Sequence, residues 1–164
     1  MKRSPPAQVK QGDVLRTVAK MITEKFGCKV YSDEALEGFE KPCFFVKFTA
    51  TAEPQTINVT KKSLSIYVTY FADDDKCNEI HYLDIFDSLQ EMFQIGITVG
   101  DRYLHIDDLS ERRIGDQEDI LQAVIRIEYL DYLTKPKKET SIMEEIGIII
   151  KTNENRKDEE TWQN

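Results

Sequence analysis

Over residues 9–26 the apolar side chains fall at Val14, Leu15, Val18, Met21, Ile22 and Phe26, three or four apart, which lays one stripe along an α-helix. Gly27 stands just beyond, where a left-handed C-cap is wanted. The period then shortens to two. Cys28-Lys29-Val30-Tyr31 reads as a short strand, and Ser32-Asp33-Glu34 as the capped start of a turn that runs to Gly38. After Pro42, Cys43-Phe44-Phe45-Val46-Lys47-Phe48-Thr49 reads as a strand with Phe44, Val46 and Phe48 on one face and Cys43 and Phe45 on the other. Residues 50–59, interrupted by Pro54, read as a long hairpin connection, and residues 64–71 alternate cleanly from there. Apolar parity changes between Val59 and Leu64, which predicts a bulge or a loop tip near Lys61-Lys62.

Asp73-Asp74-Asp75 breaks the pattern before a second helix over residues 76–94, striped by Tyr82, Ile85, Phe86, Leu89, Met92 and Phe93, with acids at its start that suit the helix dipole. Two further strands are predicted. The first, 97–114, is weakly patterned around Tyr103, Leu104 and Ile106; the second, 119–133, carries Leu121, Ala123, Ile125, Ile127 and Tyr129 on one face. Gly115-Asp116 supplies the turn between them. The order of helix, strands, helix, strands argues for an α+β fold: a mostly antiparallel sheet with both helices packed on one face. Residues 1–8, with Pro5 and Pro6, read as a disordered start, 9–133 as one domain, and 134–164 as a charged extension with a strand at 142–151. That segment, with Ile146, Ile148 and Ile150 in alternation, has no evident partner inside the domain. It either folds back on its own sheet or adds to a neighbouring subunit by β-augmentation.

Composition narrows the class. The chain has 164 residues, 22 Lys+Arg against 30 Asp+Glu, a net charge of -8 and 40% apolar residues, enough for a core without staples. No apolar run approaches the length of a membrane span, and the N-terminus lacks the apolar core of a secretory signal. Three widely spaced cysteines, Cys28, Cys43 and Cys77, suggest a reduced cytosolic protein. An acidic balance is unsuited to sequence-specific nucleic-acid binding. The charge is also uneven: residues 1–72 hold 11 basic and 7 acidic side chains, 73–133 hold 5 and 16, and 134–164 hold 6 and 7. A field with two poles bears on association rather than on fold.

Catalytic constellations are sparse. No glycine-rich phosphate loop occurs, and Asp73-Asp74-Asp75 resembles a calcium loop without its central glycine. Cys77 and His81, four apart on a helix, could share a face as metal ligands do, which keeps a small metal-dependent enzyme open as a reading of another class. The commoner reading of such a pair is a surface histidine and a half-buried thiol. His105 beside Asp107 and Asp108 lacks a matching nucleophile. The residues indicate no cofactor, no metal site and no enzyme.

The segment Val30-Tyr31-Ser32-Asp33-Glu34, followed by Gly38-Phe39-Glu40-Lys41-Pro42-Cys43-Phe44-Phe45-Val46, resembles the phage tail terminator family of long-tailed Gram-positive phages, their defective prophages and phage-tail-like bacteriocins. The family pattern continues with a strand ending in Tyr70-Phe71, an acidic helix-forming segment, and Ile142-Met143-Glu144-Glu145-Ile146 near the end. The resemblance implies a structural subunit, assembled in the bacterial host cytoplasm, that forms a ring (usually a hexamer) with copies of itself. The ring caps the head-proximal end of the tail tube, ends polymerisation and offers a surface to the head connector and, in contractile tails, to the sheath. A head-completion or connector protein is the nearby alternative. In this reading Gly38, Phe39, Pro42, Cys43, Phe44 and Phe45 form a structural motif. Pro54, Lys61 and Lys62 of the long connection, with Ile146, Ile148 and Ile150, are candidate assembly residues.

Overall fold

Two long strands of 12 and 13 residues pair antiparallel: β2 (Cys43–Pro54) and β3 (Val59–Phe71). The computed structural model describes residues 8–32 and 38–132. The chain divides into two units, Met1–Thr134 and Lys135–Asn164, and everything described belongs to the first. Residues 1–7 of the start expected to be disordered over 1–8, residues 33–37 of the expected turn, and the expected strand at 142–151 lie outside the described residues.

Helix α1 (Gln11–Phe26) ends where Gly27 adopts φ 66°, and the Gly27 N–H reaches the Thr23 carbonyl at 2.9 Å. A short strand β1 (Lys29–Tyr31) then runs parallel to β2. After β3 come α2 (Glu79–Met92), a hairpin of β4 (Gly96–Val99) and β5 (Arg102–His105), then β6 (Asp108–Ile114) and β7 (Ile120–Tyr132). The main sheet has the order β1-β2-β3-β7-β6, antiparallel except at β1, and β4-β5 form a separate two-stranded sheet. This is an α+β fold with a mostly antiparallel sheet.

Strand parity locates the core. Phe44, Val46, Leu64, Ile66, Val68, Tyr70, Leu121, Ala123, Ile125 and Ile127 share one sheet face and are all buried. Val14, Val18 and Ile22 of α1, with Tyr82 and Leu89 of α2, join the same cluster, so both helices cover that face. Phe26 of α1 meets Phe44, and Tyr82 of α2 meets Tyr70, at ring separations of 4.8 and 6.5 Å. Full burial of each such side chain contributes about 1.5–3 kcal/mol. The opposite face carries no described helix.

Three predicted elements come out differently. The segment 97–114 is not one strand but three, because Gly100 at φ 62° turns the chain after Val99 and the buried alternation restarts at Leu104. Helix α2 begins at Glu79 rather than 76: the Asn78 side chain accepts the His81 N–H at 2.9 Å and fixes the start there. The long hairpin connection is itself β-structure. β2 and β3 stay in unbroken register out to Pro54 opposite Thr60, with no bulge at Lys61-Lys62.

Candidate assembly surface

The arm formed by the outer halves of β2 and β3 is closed by residues 55–58. The Val59 carbonyl accepts the N–H groups of Gln55 and Thr56 at 2.9 and 3.1 Å, and the Thr56 hydroxyl accepts those of Asn58 and Val59. Every residue from 49 to 58 is exposed, and Ile57 at the tip is 75% exposed. Leu130 and Tyr132 of β7, in register with Lys61 and Val59, add two more exposed apolar side chains on the helix-free face of the arm. Lys61 holds Glu128 at 2.8 Å, and Ser63 donates to the same carboxylate. That hydrogen bond raises the Lys61 pKa and, with the one from Ser63, lowers that of Glu128.

Lys62 is turned the other way. Asp131, only 1% exposed, accepts from Lys62 Nζ at 2.6 Å and from Arg102 Nη1 at 3.0 Å, while the cations keep 12% and 16% of their side-chain exposure. Arg102 Nη2 also donates to the Leu130 carbonyl at 3.0 Å, and Lys62 Nζ reaches the Val9 carbonyl at 3.4 Å. Four segments are thereby clasped at the root of the arm: the entry to α1, β3, β5 and β7. The Tyr129 ring centre lies 5.8 Å from the Lys62 ammonium and 5.6 Å from the Arg102 guanidinium. Burial, and secondarily the Asp131 charge, pushes its phenol up to about 12, and its buried hydroxyl has no partner among the described residues.

This clasp explains the misread parity. Thr60 and Lys62 occupy inward positions in phase with Leu64 and Ile66, but they are polar, so the apolar count jumps to Val59 on the other face. Asp131 continues the inward series of Leu121 to Tyr129. An acid and a lysine both at inward positions of adjacent strands were the available signal of a buried ion pair. Of the three arm residues singled out from the sequence, Lys61 lies on the helix-free face, Lys62 turns inward, and Pro54 shares the helix-side face with Lys62 but is exposed near the tip. Ile146, Ile148 and Ile150 lie outside the described residues.

The motif around Pro42 is split between faces. Gly38 takes φ 83°, a backbone that favours glycine. Phe44 enters the core, whereas Phe45 contacts Tyr31, Phe39 and Phe71 at 5.1–5.3 Å on the helix-free face. Cys43 is buried and burial pushes its thiol pKa up. The Lys41-Pro42 peptide is cis.

The metal reading finds no cluster. Cys77 Sγ donates to the Asp73 carbonyl at 3.3 Å and His81 Nε2 sits 3.0 Å from the Tyr70 hydroxyl. Among the described residues no three His, Cys, Asp or Glu side chains converge to hold an ion. His105, two-thirds exposed, stands 3.9 Å from Asp107. No described helix is long and apolar enough to cross a membrane. The acids of 73–133 also divide. Glu79, Asp84, Asp87 and Glu91 give α2 four negative charges with no Lys or Arg, on the helix side; Asp108 and Glu128 lie on the other sheet face, and Asp131 is buried.

What this geometry defines is a small α+β subunit with an exposed two-stranded arm that carries Ile57 at its tip and is rooted in a buried ion-pair clasp. The family model for phage tail terminator proteins matches residues 13–141, and the chain belongs to that family. It is therefore a phage structural protein of the tail-terminator type, a component of the virion tail. No curated protein sequence matches it. One solved structure aligns over 79% of this chain and 99% of its own at 11% identity, with a TM-score of 0.46.

Proposed function

We propose that this subunit assembles with copies of itself into a ring, six-membered as is usual in such assemblies, that caps the head-proximal end of the tail tube. The ring ends tube growth, and sheath growth where a sheath exists, and leaves a surface for the head connector. The arm is the observation that supports this most directly. A ring closes through heterologous contacts, in which one patch meets a different one on the next copy. An exposed, register-locked arm with Ile57 at its tip and Lys61, Leu130 and Tyr132 along its helix-free face is such a patch, and Pro54 adds an exposed position on the other face. Beyond the buried Lys62-Asp131-Arg102 root, it projects as a firm element rather than a slack loop. The acidic side of α2 turns to the neighbour or to the channel, where negative charge lets DNA pass without binding.

The test replaces the tip. Ile57→Asp changes an exposed tip position, while Lys61→Glu gives up the half-exposed pair with Glu128, worth about 0–1 kcal/mol, so the melting temperature should fall by only a few degrees. Particles carrying the pair should show overlong or ragged tubes by electron microscopy. Tubes of normal length with heads attached would refute the capping role. Finished tails of normal length that lack heads would instead assign the protein to the connector side of the joint.

A further inference from the structure

The outer edge of β2 is open. β1 pairs only with Cys43, Phe44 and Phe45, so residues 46–54 have β3 on one side and no described strand on the other. Alternate residues there aim both N–H and C=O outward. Natural edges are protected by charge, proline, a bulge or a cover. The opposite edge of the sheet follows this rule, since β6 carries Glu111, Arg112 and Arg113. The β2 edge does so only at its ends: Lys47, Glu53 and Pro54 flank Phe48-Thr49-Ala50-Thr51-Ala52, five residues without charge, bulge or proline, of which all but Phe48 are exposed. An edge left bare in an assembly protein is a place where a strand is added.

We infer that the strand is Ile146-Gly147-Ile148-Ile149-Ile150-Lys151 of a second copy, which adds to β2 over residues 46–54. This rests on the ring reading and gives its head-to-tail contact two named sides. Three features of the chain fit the two together. First, the segment is rich in β-branched side chains, and its six residues can pair along six of the nine open positions. Second, the faces match. Ala50 and Ala52 are the small, exposed residues on the helix-side face of β2, and beside them Ile146, Ile148 and Ile150 have room. On the other face the complementary set, Gly147, Ile149 and Lys151, would lie beside Thr49, Thr51 and Glu53, with Lys151 supplying the charge opposite in sign to Glu53. Third, residues 133–145 separate the segment from the end of β7, and thirteen residues span up to about 45 Å, enough to reach an adjoining subunit. The match to the family model ends at residue 141, just before this segment.

Disulfide trapping between copies tests it. In a Cys77→Ser background, full-length chains carrying Thr49→Cys or Thr51→Cys are mixed with chains carrying Ile149→Cys under mild oxidation, alone and with tail tubes from the same particle. A covalent dimer joining the two kinds of chain is expected with at least one of the threonine positions. Ile148→Cys, on the opposite face of the added strand, should give none. Absence of a mixed dimer in both conditions overturns the inference. So does a bond that forms only within one doubly substituted chain, because the strand would then fold onto its own sheet. Tube length separates this from the capping role. A mixed dimer beside normal tube length in the Ile57→Asp, Lys61→Glu particles would leave strand exchange standing and remove capping. Overlong tubes in that variant without a mixed dimer would do the reverse.

Discussion

The clasp at the root of the arm gives the sharpest stability test. Asp131→Asn keeps the shape of the side chain and one carbonyl acceptor but removes the charge that two cations share. In the native protein Asp131 is 1% exposed and accepts from Lys62 and Arg102 at 2.6 and 3.0 Å. Removing one partner of a buried ion pair typically costs 3–5 kcal/mol, because the remaining charge is stranded. Here the two cations keep 12% and 16% of their exposure, so each can swing part-way to water, and the retained amide oxygen can still accept one hydrogen bond. Those two effects place the loss near the lower end, about 3 kcal/mol. For a folded unit of this size one kilocalorie moves Tm by roughly 3–4 °C, so the midpoint should fall by about 10 °C. Circular dichroism melts of wild type, Asp131→Asn, Lys62→Met and the double variant form a cycle. The coupling between positions 62 and 131 should exceed about 1 kcal/mol. A single-variant shift under 2 °C, or coupling within about 0.5 kcal/mol of zero, would refute the claim that this pair anchors the arm.

Two further outcomes follow from individual positions. Gly96→Ala should disrupt the β4-β5 hairpin severely, since an added Cβ would lie 2.3 Å from the Leu104 carbonyl oxygen and 2.7 Å from the Tyr103 ring; hydrogen exchange of the Ile97 and Leu104 amides would report it, and unchanged protection would contradict the packing described. Tyr129→Phe removes a buried hydroxyl that has no partner among the described residues, so it should leave stability at pH 7 unchanged or raise it by up to about 1 kcal/mol. The same variant changes the alkaline limb. The Tyr129 phenol sits at about 12 in the folded chain against about 10 when unfolded. Its contribution is complete below pH 10 and is lost as pH rises from 10 to 12, because there only the unfolded phenol gives up its proton. Denaturant titrations at pH 9, 10 and 11 should show a shallower decline for Tyr129→Phe than for wild type, and parallel curves would speak against the buried phenol.

How far these features were legible in the sequence depends on what occupies the inward positions. Where they are apolar, as in Leu64-Ile66-Val68-Tyr70 or Leu121-Ala123-Ile125-Ile127, period and face were readable directly. Gly27 was legible as a C-cap because a left-handed residue is needed at that spot. The arm was not, because residues 49–58 face water on both sides and carry no alternation to read. Pro54, taken as a break, is tolerated because it lies on an edge strand, where its missing N–H need not meet a neighbour. The β4-β5 hairpin was lost for a different reason: its four-residue strands are shorter than the window over which alternation can be counted.

The clasp and the bare edge bear on one another. A strand added to β2 exerts its pull on the arm through the β2-β3 ladder, and β3 in turn is held to β7 at Lys62 and Asp131. An arm hinged loosely at that point would let an added strand shift the β2 register, and with it the faces that Ala50 and Thr51 present. The buried charges fix the hinge directionally: a lysine and an arginine on two strands and a carboxylate on a third satisfy one another in a single alignment, whereas apolar side chains at those positions would tolerate a slip. Apolar packing of similar volume at such a root is often as stable or more so. Replacing all three by apolar residues (Lys62→Met, Arg102→Met, Asp131→Leu) should therefore preserve or raise Tm. It should also broaden the disulfide-trapping pattern, so that Ile148→Cys no longer stays unreactive. A variant that is stable and yet keeps the face selectivity would show that the clasp does not set the register of the arm.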